Sequence, residues 1–278
     1  MATTSVRAET VLGVASVVAL LALTGVGLAV APAPKVVGIA WVAFAAMAGA
    51  AVLGTGGGDE RPRGLVWGYG LAAGAMVTSA SVFLVPQATG ADAHAGGFGI
   101  AAGLLVGFAG HTVGHRLAHY DLPMDRTVAE LTAHALSAGV IIGVVYGAMP
   151  DLGPLLGLAI VSHKGPAGYA AARRLARSGR SIAPILLPSS ALGVAALAST
   201  LVAVPPTPAV QAVVFGFAAG VFLHVAMDFL PRCETGSEVH DVFVESDHAH
   251  AMLDRLRVHA VVSTGLGGLA VFAAWLVV

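Results

Sequence analysis

The sequence predicts an all-α polytopic membrane protein, and three observations carry that prediction. The first is composition. Of 278 residues 57% are hydrophobic and 10% are charged, with a mean hydropathy of +0.85. Soluble domains carry roughly 25% charged residues, so a soluble fold of this composition would lack the polar side chains to cover its surface. The second is a series of nine apolar runs, each near the ~20 residues that a helix needs to cross a bilayer. The third is the placement of the arginines, which alternate with those runs in a single consistent sense.

The runs fall at about 10–31, 36–54, 64–86, 97–117, 128–149, 152–177, 183–203, 208–231 and 256–278. Ala31-Pro32-Ala33-Pro34-Lys35 separates the first two. The charged turn GGGDERPR, from Gly56 to Arg63, ends the second, and Pro150-Asp151 and Pro205-Pro206 mark two later breaks. The longest polar stretch, Arg232 to Asp254, is rich in Glu, Asp and His and is expected to be a cytoplasmic loop. Residues 1–35 divide from residues 36–278 as an N-terminal membrane helix. Arg7 before this helix and small residues after it also fit a signal peptide. Its apolar run, Val11 to Ala31, exceeds the about 7–15 residues of a signal core, which favours a retained helix.

Starting from a cytoplasmic N-terminus and alternating, all twelve arginines fall at cytoplasmic ends, and Lys35 alone falls outside. An excess of Lys and Arg on the cytoplasmic side is the expected bias. This places the chain in the cell membrane with its C-terminus outside. The near-zero net charge gives no basic surface for nucleic acid. The single cysteine, Cys233, excludes an internal disulfide.

Ionisable residues inside apolar spans are costly and mark function by default. Glu130 and His134 lie in the fifth span, His163 and Lys164 in the sixth, His224 and Asp228 in the eighth, and His259 begins the ninth. Glu130 and His134 are four apart, as are His224 and Asp228, so each pair shares a helix face. A histidine and a carboxylate on one face can bind a divalent metal between helices. Either pair alone could equally be a hydrogen-bonded contact between helices; their accumulation in one chain favours function. His111, His115 and His119 form an i, i+4, i+8 stripe at a helix end, read either as a metal-collecting surface or as polar residues at headgroup level. Lys164, beside His163, calls for a carboxylate partner; Asp228 is the first choice and Glu130 the second.

The fifth and sixth spans repeat a pattern. His134 to Gly139 reads HALSAG and His163 to Gly168 reads HKGPAG, both H-x-x-x-A-G and 29 residues apart. These segments resemble the H-N-x-P-E-G-like motifs that the ZIP family of divalent-metal transporters places on two consecutive helices. Leu71 to Ala88, LAAGAMVTSASVFLVPQA, is similar to that family's Ala-Ala-Gly helix, and Phe217 to Pro231, FAAGVFLHVAMDFLP, to its later helix, with Asp228 at the acidic position. The resemblance covers residues 36–278. It implies a ZIP-like eight-helix bundle, here with one extra N-terminal helix, and a transport site built from the motif side chains.

The chain departs from that pattern at the charged positions. The motif glutamates are replaced by Ala138 and Ala167, and the Asn-like positions hold Ala135 and Lys164. Leu187 to Thr200 contains no acid. A two-metal site of the family type therefore cannot form. The resemblance leaves a single-metal site of His134, His163, His224 and Asp228, with Glu130, Met227 and Lys164 supporting or modulating it. Lys164 stands electrostatically for a second ion.

The expected function is transport of a zinc-like divalent cation. No resident cofactor is expected, and the expected partners are membrane lipid and the metal ion, with a homodimer left open. The alternative is a ZIP-like protein that moves no metal or carries another solute. An intramembrane enzyme is the least favoured class: paired histidines can ligate haem, but no H-E-x-x-H, G-x-S-x-G, P-loop or C-x-x-C motif occurs.

Overall fold

The computed structural model describes residues 2–29, 33–55, 62–117, 124–149, 153–161, 163–202, 207–235 and 249–277. The expected breaks at 56–61, Pro150-Asp151 and Pro205-Pro206, residues 236–248 of the polar stretch, and His119 lie outside the described residues. The side chains of His111, His115 and Asp228 lie outside them too.

The described residues form helices and no strand. They are α1 (Ala2–Ala29), α2 (Pro34–Thr55), α3 (Pro62–Ser79), a π turn (Ala80–Leu84), α4 (Val85–Ala91), α5 (Ala93–Leu117) and α6 (Arg126–Ala148). After these come α7 (Pro154–Val161), α8 (Lys164–Arg177), a 3₁₀ turn (Ala183–Ile185), α9 (Leu186–Ser199), α10 (Pro208–Thr235) and α11 (Ala249–Val277). Seven helical segments among the described residues are long and apolar enough to cross a membrane, which agrees with a multi-pass membrane protein.

Two of the nine expected spans take another form. The run at 152–177 is not one helix: α7 has 8 residues and α8 has 14, with His163 between them. Pro166 contributes no N–H to the i−4 position, and its ring crowds that turn. The run at 183–203 is a 3₁₀ turn followed by the 14-residue α9. In addition, α10 continues to Thr235 and α11 begins at Ala249, so helix enters the polar stretch 232–254 from both sides where a loop was expected. Proline also reshapes the third span. Pro86 stands just beyond the π turn, in which Val85 N–H donates to the Ala80 carbonyl, five residues back.

The helices pack as two sets. In one, α5 lies along α10, α3 along α11, and α3 and α4 both against α10. In the other, α6 lies along α9, α2 along α8 and α9, and α1 along α9. Between the sets the packing is sparser, α3 against α7 and α8 and α6 against α10. Leu20, Ala40, Ala135, Ile142, Ala196 and Phe215 belong to one buried cluster that spans the seam. Two hydrogen bonds help to seat α1. The Ser190 hydroxyl donates to Ser16 Oγ at 2.7 Å, and Trp41 Nε1 donates to Thr24 Oγ1 at 3.1 Å.

Candidate functional site

His134 sits two turns into α6, and His163 sits at the break before α8. Their Nε2 atoms are 3.1 Å apart, with ring centroids 5.3 Å apart and planes inclined at 67°. At that distance the two nitrogens can share one proton, either Nε2 donating and the other accepting according to tautomer. His163 is buried and His134 partly buried. The helix break places His163. It is the N-cap residue of α8, with φ −77° and ψ −8°, and makes no side-chain capping bond. Its ring is therefore not used to close the helix end.

The motif glycines bring the helices together. A Cβ on Gly139 would collide with the Leu192 carbonyl oxygen of α9, and one on Gly168 with the Met47 carbonyl oxygen of α2. Both helices that carry an imidazole are thus held in close backbone contact with a neighbour, which fixes the height and rotation of each ring. Tyr146 adds a pin across the α6–α7 connection. Its hydroxyl donates to the Gly153 carbonyl at 2.8 Å and accepts from Gly157 N–H at 3.0 Å.

Lys164 is 2% exposed. No carboxylate among the described residues lies within ion-pair distance of it. Glu130, the second-choice partner, is turned to the surface and accepts from Arg126 Nε at 2.7 Å. It therefore joins neither Lys164 nor the His pair. This i, i+4 pairing along the exposed face of α6 is the nearest ionic partner the helix offers.

The other expected ligands stand apart. The ring of His224 covers Gly107 on α5, where an added Cβ would come within 2.7 Å of it, so His224 belongs to the α5–α10 interface. Met227 is 60% exposed. His259 accepts from Trp67 Nε1 at 3.2 Å. Among the described residues no three His, Cys, Asp or Glu side chains stand close enough to share a metal ion. An apolar cavity of about 410 Å³ flanks the α7–α8 break. Gly68, Leu71 and Ala75 of α3, Leu158, Pro166, and Val271 of α11 line it.

Sequence reasoning passed over a second polar cluster. Glu9 is 1% exposed, although it begins an apolar span. Its Oε1 accepts from the Asp125 N–H at 2.8 Å, and both its oxygens accept from Arg180 Nη2 at 3.3 Å. Arg180 Nη1 donates to Asp125 Oδ2. Asp125 in turn caps α6, its Oδ1 accepting from Thr127 N–H at 2.8 Å and Val128 N–H at 3.4 Å. An acid at the very edge of the first apolar run was the available signal.

No protein-family model matches the chain, and no curated protein sequence matches it.

Proposed function

We propose that this chain is a secondary transporter of a divalent, zinc-like metal cation, and that one ion binds between His134 and His163. One observation carries the reading: the 3.1 Å between the two Nε2 atoms. Two imidazole nitrogens bound to one tetrahedral zinc at 2.0–2.1 Å stand about 3.3 Å apart, so replacing the shared proton by the ion needs little movement. Two imidazoles do not complete a coordination shell. Backbone carbonyls at the helix break, water, and Asp228 are the further donors that this reading assigns to the ion. The repeated H-x-x-x-A-G segments support a ZIP-like relationship with the motif acids lost. Both imidazoles belong to the set that holds α2, α6, α8 and α9, and the two sets supply the moving parts, since displacement of this set against the other would open the site to each side in turn. On this reading the protein lies in the cell membrane with Arg63 and Arg177 at the cytoplasmic face.

A second reading is favoured by Lys164. Lys164, fully buried and next to His163 in the chain, without a described carboxylate at ion-pair distance, suits a site for an anion or a proton-coupled organic solute. Metal content and uptake separate the two. Purified protein should retain about one zinc per chain, and proteoliposomes containing it should take up zinc; His163→Ala should lose both. Zinc content and uptake that are absent in the wild type, or unchanged in His163→Ala, would refute the metal reading.

A further inference from the structure

Arg180 is fixed to the end of α8 by backbone geometry. Gly179 adopts φ +65°, its N–H donates to the Ala176 carbonyl at 2.9 Å, and the Arg180 N–H donates to the Leu175 carbonyl at 2.9 Å. This pair of bonds is the Schellman helix ending, which places the residue after glycine in a defined position. From there the guanidinium reaches Asp125, the cap of α6, and the buried carboxylate of Glu9. The connections close a ring. His163 opens α8, α8 ends at Arg180, Arg180 holds Asp125, and α6 runs nine residues from Asp125 to His134. Towards the other end of α6 the Tyr146 pin ties that helix to Gly153 and to Gly157 of α7, the segment that leads into His163. The imidazole pair lies between these two ties.

An exposed ion pair would have little hold on this geometry. Here Glu9 is 1%, Asp125 17% and Arg180 28% exposed by side chain, and a charged group sequestered in this way tolerates few arrangements. The guanidinium fork satisfies two carboxylates from separate helices at once.

We propose that Arg180, supported by Glu9, is a positioning residue that sets the separation of His134 and His163 by holding the start of α6 against the end of α8. The proposal rests on the metal reading above for its functional meaning but not for its geometry.

The test uses purified full-length protein and two measurements. In a Co²⁺ titration, Arg180→Gln should weaken binding about tenfold, the scale of lost outer-shell support at metal sites. Glu9→Gln, the milder variant, should weaken it less. In a His134→Ala background Arg180→Gln should cause no further loss. A general structural defect would instead lower affinity equally in both backgrounds, and that result overturns the proposal. The second measurement needs no metal. In a C233S background, H134C and H163C should be bridged by dibromobimane, which fluoresces once both arms have reacted, and R180Q should slow the bridging. If the wild type binds no Co²⁺, the metal reading fails and the bridging rate alone decides. An unchanged rate in R180Q overturns the positioning role.

Discussion

Removing the Arg180 side chain should cost far more than removing an ordinary surface arginine, and a second substitution should recover most of that cost. Breaking a buried ion pair from one side costs about 3–5 kcal/mol, because the remaining charge is left uncompensated. Two features place Arg180→Ala near the lower limit, at about 3 kcal/mol. Glu9 keeps its bond from the Asp125 N–H at 2.8 Å, and Arg180 is itself 28% exposed. In the double variant Glu9→Gln/Arg180→Ala the buried group is neutral. Its amide oxygen still accepts from Asp125 N–H, so the residual loss is that of about one hydrogen bond, ~1 kcal/mol. The double variant should therefore be about 2 kcal/mol more stable than Arg180→Ala alone, the difference between these two estimates. Reversible unfolding in mixed micelles with rising SDS, followed by helical circular dichroism, measures this. A double variant no more stable than the single one would show that the Glu9 charge is not what Arg180 compensates, and the reasoning would fail.

Three further outcomes follow from the same geometry. Gly168→Leu should destabilise by about 1–3 kcal/mol through overpacking, since even a Cβ there collides with the Met47 carbonyl oxygen; Gly168→Ala should cost less in the same assay. Tyr146→Phe removes an acceptor for Gly157 N–H and a donor to the Gly153 carbonyl. It should cost about 1–3 kcal/mol and speed hydrogen exchange at Gly157 selectively; unchanged exchange would mean that the pin carries no load. Lys164→Met keeps similar bulk and removes a buried amine, so it should stabilise the protein by about 1–3 kcal/mol, the scale of desolvating one polar group, and raise metal affinity. Destabilisation, with unchanged affinity, would count against the electrostatic role assigned to Lys164.

The legible parts of this molecule were those encoded within one segment. The positions of most helices follow from apolar runs, because a bilayer-spanning helix needs about 20 predominantly apolar residues. The H-x-x-x-A-G repeat pointed to His134 and His163 as neighbours because the same local pattern places each imidazole five residues before a close-packing glycine. The break at His163 was less visible. Its cause is Pro166, three residues beyond the histidine and embedded in a run that is otherwise apolar enough to read as continuous. Glu130 and His134 share a face by spacing, yet Arg126 lies one turn back and takes the glutamate, so a local competitor decided its direction. Glu9, Asp125 and Arg180 were the least legible. The partners are 116 and 171 residues from Glu9 in the chain, and no periodicity encodes such a meeting. Arg180 was read only as a marker of membrane orientation, a role that any cation could fill.

The π turn at Ala80–Leu84 sets the phase of one membrane span. A single residue added to a helical turn rotates everything after it by about 100°. Before the turn the span runs as α3 alongside α11, and after it as α4 against α5, with α10 in reach of both. One continuous span thus serves two different neighbours without a loop between them, and Ala88 arrives fully buried on the far side. The third span is for this reason sensitive to length where the others are sensitive to composition. Loss of one residue between 80 and 84 would leave its hydropathy almost untouched, yet would turn α4 away from α5 and bring a different row of side chains to the seam.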